Sequence, residues 1–182
     1  MLKAIGVLET NSIAQGILSA DVMLKTAMVE LLESRSICPG KYLTILYGDV
    51  SAVQNSIEAG CANAGAYLVD SSVIPNVHPL VADAIRGMPM SIKAGAVGTL
   101  EFFSVTAAVY AADAAVKAGD VQLVELRLGI AIGGKSYFVV NGDVAAVKEA
   151  VKAACEVGQQ HGLLFNSIVI PSPHEQLLPR LM

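Results

Sequence analysis

What most constrains the fold of this 182-residue chain is that its sequence is written twice. Ala4-Ile5-Gly6-Val7-Leu8-Glu9 returns as Ala96-Val97-Gly98-Thr99-Leu100-Glu101. At the same offset Ser12 recurs as Ser104, Asp21 as Asp113, Lys25 as Lys117, Glu33 as Glu125 and Arg35 as Arg127. The second copy then gains two residues. Gly40-Lys41 matches Gly134-Lys135, Gly48-Asp49-Val50 matches Gly142-Asp143-Val144, and Cys61 matches Cys155. After two further insertions, Ile74-Pro75 and His78 meet Ile170-Pro171 and His174. So ordered a series marks a tandem duplication of a domain of about 90 residues, an ordinary domain size. The expected division is a first domain at 1–86, a linker at 87–95 carrying Gly87, Pro89 and Gly95, and a second domain at 96–182.

Each copy reads as β-α-β-β-α-β. A strand (Ala4 to Glu9, or Ala96 to Glu101) leads to a helix opened by Ser12 or Ser104. That helix carries Ile13, Ile17 and Leu24, or Val105, Val109 and Val116, at helical spacing. A hairpin follows, Val29 to Ile37 with Lys41 to Tyr47, and Val121 to Ile130 with Lys135 to Val140. The second helix starts near Asp49 or Asp143, an acidic residue at the positive end of the helix dipole. Its apolar stripe is Val53, Ile57 and Cys61, or Val147, Val151 and Cys155. A last strand ends at Ile74-Pro75 or Ile170-Pro171, and a short helix follows His78 or His174. The order is the split βαβ arrangement, ferredoxin-like, an antiparallel sheet with helices packed on it: an α+β fold, twice.

Composition narrows the class. Charged residues are 15% of the chain, against about 25% in ordinary soluble domains, and hydrophobic residues are 54%. So little charge leaves apolar surface to be covered, which points to an oligomer. The apolar runs are broken by charge, as Asp113 and Lys117 break the alanine-rich stretch, short of the ~20 residues a membrane-spanning helix needs. The opening Met1-Leu2-Lys3-Ala4 has no signal-peptide layout, and a net charge of −4 without a basic run argues against nucleic acid. Three cysteines without C-x-x-C spacing fit a reducing cytoplasm.

No Ser-His-Asp order, paired carboxylates or Walker loop appears, and Gly133-Gly134-Lys135 runs on into a strand rather than a helix N-terminus. The chain does not read as an enzyme. Cys61 and Cys155 belong to a core stripe. Cys38 alone lies off the helices, in the turn Ser36-Ile37-Cys38-Pro39-Gly40-Lys41, where Pro39 presets φ and Gly40 permits a left-handed residue. By position alone it is an inert loop thiol. Asp21 with Lys25, and Asp113 with Lys117, read as i,i+4 ion pairs worth about 0.2–0.5 kcal/mol each. His78 and His174 read as capping or packing residues.

The opening Ala-Ile-Gly-x-Leu-Glu, the Asp21-Val22-Met23-Leu24-Lys25 segment and Gly48-Asp49-Val50 resemble bacterial microcompartment shell proteins. The duplication resembles their tandem-domain, trimeric branch. The Ser36–Lys41 turn, with Ile170 to Glu175, is similar to the iron–sulfur-binding type of propanediol-utilisation microcompartments. The resemblance implies a cytoplasmic shell tile, a homotrimer imitating a hexamer and tiling with other shell proteins. Two loops would line its central opening: Ser36, Ile37, Pro39 and Gly40 with Cys38, and Ile130, Ala131, Ile132, Gly133 and Gly134. The second loop is two residues longer and has no cysteine.

The resemblance further implies one [4Fe-4S] cluster per trimer, ligated by Cys38 of three chains, for electron transfer or cluster delivery across the shell. An enclosed redox enzyme would then be a partner. No single chain offers enough thiolates for a cubane, whereas three copies around an axis offer three. It also makes Asp21, Lys25, Asp113 and Lys117 shell-edge contacts, present in both copies because every edge must match. Two other readings stand beside it: a tile with an empty opening that passes small metabolites, and a small-molecule sensor built of paired α+β domains.

Overall fold

The computed structural model describes residues 3–88, 92–160 and 164–181. Residues 89–91, and with them Pro89 of the expected linker, lie outside the described residues. The chain divides into two compact units, Met1–Val77 and His78–Met182. In the first, β1 (Lys3–Thr10), α1 (Ile13–Thr26), β2 (Glu30–Ile37), β3 (Lys41–Asp49), α2 (Val50–Ala64) and β4 (Leu68–Pro75) follow in order. The second holds α3 (Pro79–Ile85), β5 (Ala96–Phe102), α4 (Val105–Ala118), β6 (Val121–Leu128), β7 (Ser136–Gly142), α5 (Val144–Gln160) and β8 (Leu164–Ile170). Both sheets are antiparallel, in the orders β2-β3-β1-β4 and β6-β7-β5-β8. This is the α+β split arrangement, twice over.

Period-two alternation puts Ala4, Gly6 and Leu8 of β1 on the face that receives the helices. Gly6 is there because α2 lies almost against the strand: a Cβ would stand 2.7 Å from both Val53 and Ile57. Gly98 serves the same approach of α5, with Val151 at 2.5 Å from a Cβ. Ser12 and Ser104 cap α1 and α4, each Oγ accepting from the amide three residues on (Gln15 and Ala107, both 3.3 Å). Asp49 does not cap in that way: it occupies the N-cap of α2, but its carboxylate is taken by Lys3 Nζ at 2.8 Å. That pairing holds the Asp49 carboxyl below its ordinary range.

The two units fill corresponding space from different strands. In the first, the ring of Tyr42 on β3 presses on Gly16 of α1, where a Cβ would lie 2.4 Å from Tyr42 Cβ. In the second, the matching residues are Ser136 and Ala108, both buried. There the ring comes from Phe102 on β5, stacked on Phe138, and it presses on Gly158 of α5. The first unit has Thr10 and Ala64 at those two positions. Met23 over Gly60 is likewise exchanged for Ala115 with Ala154. Each large side chain faces a glycine, and a pair of small residues stands at the matching positions of the other copy.

The apolar stripe read in the first helix behaves differently in the two copies. The residues of α1 that face its own unit are Gly16, Ser19, Ala20 and Met23, while Ile13, Ile17 and Leu24 are exposed. Their counterparts Val105, Val109 and Val116 are all buried. The short helix α3, the tail of the first repeat, packs on α4 and β6 of the second unit, burying Val81 and Ala82.

Candidate functional site

The β2–β3 hairpin closes on four residues, Ile37 to Gly40, with the Gly40 amide donating to the Ile37 carbonyl at 3.0 Å. The Cys38–Pro39 peptide is cis, which puts proline at the third position of the turn. Gly40 follows at φ +80°, with open space where a Cβ would be. Ile37 is buried and anchors the turn, Ser36, Pro39 and Gly40 are exposed, and Cys38 is half-buried with a free thiol. Lys41 opens β3 immediately after the turn and donates to Glu9 Oε2 at 3.2 Å. Burial raises the Glu9 carboxyl above its ordinary range against the opposing pull of Lys41.

The β6–β7 connection is an open loop of seven residues, 129–135. The expected strand to Ile130 stops at Leu128, because Gly129, Ala131, Gly133 and Gly134 all have positive φ (+71°, +59°, +65° and +81°), outside the strand region. The loop is pinned by Gly129 donating to Lys135 (3.1 Å) and Lys135 donating to Ile132 (3.3 Å). Ile130, Ile132 and Gly134 are half-buried, and Ala131 and Gly133 are exposed. Lys135 reaches Glu101 at 2.5 Å and lies 4.5 Å from the Phe165 ring, which meets Phe103 edge-on.

Each loop is therefore stapled to the central strand of its own sheet by a Lys–Glu pair: Lys41 to Glu9, and Lys135 to Glu101. The recurrence of both partners in the two repeats was the available signal for these staples.

Asp21 and Lys25 form the expected i,i+4 pair at 2.6 Å on exposed helix surface. Asp113 and Lys117 form theirs at 2.5 Å, but Asp113 is buried and also accepts the His78 amide at 2.7 Å. The two histidines do cap: His78 Nδ1 accepts from Leu80 N (3.3 Å) and His174 Nδ1 from Gln176 N (3.2 Å). Cys61 packs at the margin of the first core, and Cys155 donates to Ser167 Oγ at 3.3 Å. Among the described residues, no group of three His, Cys, Asp or Glu side chains lies close enough to hold a metal ion. No described helix is long and apolar enough to cross a membrane.

Two units of one split-βαβ design, each presenting a stapled hairpin loop, define a tandem-domain protein. The BMC domain model matches residues 4–77 and 96–173. The chain belongs to the BMC-domain family of microcompartment shell proteins and carries the domain twice. It is 51% identical over 177 residues to the microcompartment shell protein PduT of Citrobacter freundii, covering 97% of this chain and 96% of that protein. A single copy is 41% identical over 83 residues to the shell protein EutM of Escherichia coli K12, covering 45% of this chain and 82% of that one. A solved microcompartment protein of Desulfitobacterium hafniense DCB superposes with a TM-score of 0.94 at 46% identity, covering 97% and 98% of the two chains. PduT and EutM are shell proteins by name, and this chain is a structural protein of their family rather than an enzyme.

Proposed function

We propose that the chain is a homotrimeric tile of a cytoplasmic microcompartment shell, in contact with other shell proteins. Its threefold centre is the place where three Cys38 thiolates hold one [4Fe-4S] cluster. The observation that carries this reading is the position of Cys38. It is a free, half-buried thiol at the tip of a four-residue turn, and only the first repeat has one.

The donor set can be tested against the cluster. One chain supplies a single loop thiol and no metal group of its own among the described residues, so a monomer does not fit a cubane. Three chains supply three thiolates, enough for three of four irons, leaving the fourth to a small ligand or a partner. The cluster, when bound, supplies one-electron redox chemistry, which suits electron passage to an enclosed redox enzyme or cluster delivery through the shell. The residues of the chain hold and orient the thiol. Gly40 keeps bulk away from the tip, and Lys41 ties the base of the turn to buried Glu9. The same assignment makes Ser36, Ile37, Pro39 and Gly40, with 130–134, the lining of the opening, and Lys25 and Lys117 contacts between tiles.

Anaerobic purification with iron and sulfide analysis tests the cluster, and sedimentation tests the trimer. Four irons and four sulfides per three chains are expected. An iron-free, colourless trimer after reconstitution refutes the cluster and leaves an open-centred tile that passes small metabolites.

A further inference from the structure

A row of side chains crosses the first sheet at the level of Glu9. Arg35 on β2 is opposite Leu43 on β3, Leu43 is opposite Glu9 on β1, and Glu9 is opposite Asp70 on β4. Arg35 is engaged by Glu33 at 2.9 Å. Lys41, at the start of β3, reaches Glu9 Oε2 at 3.2 Å. Glu9 therefore lies between a lysine on one neighbouring strand and a second carboxylate on the other, with its side chain only 3% exposed. Lys41 and Asp70 are the charged groups that bear on it, the first favouring its ionised form and the second its protonated one. The helices α1 and α2 pack on the opposite face of the sheet, with Ala4 and Leu8.

The carboxylate also sits where the hairpin leaves the sheet. Pairing of β1 with β3 ends at Thr10 and Tyr42, so Ile37 to Lys41 project beyond the central strand. The hydrogen bond from Lys41 to Glu9 ties that projecting tip back to β1. Lys41 directly follows Gly40, whose amide closes the turn on the Ile37 carbonyl, with Cys38 between them. The second repeat keeps the lysine staple but changes the row, which there runs Arg127, Tyr137, Glu101 and Asn166. A neutral amide stands in place of Asp70 in the copy whose loop has no cysteine.

We propose that Glu9 is a proton-operated latch on the Cys38 turn: ionised, it grips Lys41 and fixes the turn, and protonated, it lets Lys41 go and the turn loosens. Asp70 eases the uptake of the proton, so the latch opens in milder acid than an isolated glutamate would require. Glu9 acts on Cys38 through Lys41 and is a positioning residue. The purpose of the latch rests on the cluster reading above, since a fixed turn holds the thiol in one place and a loosened one gives it up.

NMR of the full, iron-free chain labelled with 15N-glycine tests the latch. The Gly40 amide is followed from pH 4 to 8, its solvent exchange divided by the intrinsic rate at each pH. Protection of Gly40 is expected to fall about tenfold on acidification, the factor that one hydrogen bond to a charged group is worth, with a midpoint above 4.5. Asp70→Asn, which installs the residue of the second repeat, should move that midpoint down toward 4.5. Glu9→Gln and Lys41→Met should each abolish the transition. A Gly40 signal that does not titrate in the parent chain overturns the latch, as does a transition that survives Glu9→Gln or a midpoint that Asp70→Asn leaves in place. With iron bound, retention of iron against pH should step at the same midpoint and follow it in Asp70→Asn. A Gly40 transition without a matching step in iron retention overturns the link to the cluster. A chain that never takes up iron overturns the cluster reading and leaves the Gly40 titration standing.

Discussion

Gly16→Ala is the sharpest probe of how the first unit is packed. The added Cβ would lie 2.4 Å from Tyr42 Cβ, 2.6 Å from Tyr42 Cδ1 and 2.7 Å from Thr10 Oγ1. Carbon atoms in contact prefer about 3.5–4.0 Å, so α1 must lift by about 1 Å. Tyr42 cannot swing aside, because the closest atom is the one joined to the backbone of the inner strand β3. Such overpacking costs about 1–3 kcal/mol, against about 1 kcal/mol returned when alanine replaces glycine inside a helix. With a rigid contact the upper part of that range applies, for a net loss of about 1–2 kcal/mol. In a unit of this size that lowers Tm by about 5–15 °C.

The second unit supplies the control, since it carries Ala108 and Ser136, both buried, at the matching positions. In a Tyr42→Ser background, Gly16→Ala should become favourable by up to about 1 kcal/mol, a coupling of about 2–3 kcal/mol between the two sites. The chain has no tryptophan, so far-ultraviolet circular dichroism through a urea titration of the four proteins is the assay. Equal effects of Gly16→Ala in the two backgrounds refute the packing argument, as does a single variant more stable than the parent.

Three further outcomes are expected. Cys38→Ser abolishes iron binding while leaving the trimer intact and the stability within about 0.5 kcal/mol, because a turn residue supports no core; a variant that keeps full iron content removes Cys38 as the ligand. Burial lifts the Glu9 carboxyl above its unfolded value near 4.5, so the native state holds its proton longer and stability falls as pH rises from that value through the raised one. Glu9→Gln should abolish that decline, and Tm of the two proteins compared from pH 4 to 7 checks it; parallel curves contradict the assignment. Lys25→Asp should eliminate sheets or tubes seen by electron microscopy while costing less than about 1 kcal/mol of stability, and sheets that persist argue against Lys25 at the tile edge.

The duplication, the element order and most of the helix starts are legible in the residue pattern alone. These are local or repeated signals: serine caps, helical stripes and the matched order of residues in the two copies. The turn that carries Cys38 was legible for the same reason, since Cys-Pro-Gly between two apolar runs admits little but a reversal. Tertiary structure decided what pattern leaves open. The apolar stripe Ile13-Ile17-Leu24 has a buried counterpart in α4, so spacing marks a face without saying what covers it. Asp49 sits at the N-cap of α2 as the pattern predicts, yet its carboxylate goes to Lys3, a partner 46 residues away, and not to the helix amides. The strand expected to reach Ile130 ended at Leu128, where positive φ at Gly129 turns the backbone out of the sheet. The exchange of Tyr42 over Gly16 for Phe102 over Gly158 is invisible to periodicity, because each residue is acceptable on its own. Only their distances in space make one side chain's volume the condition for another's absence.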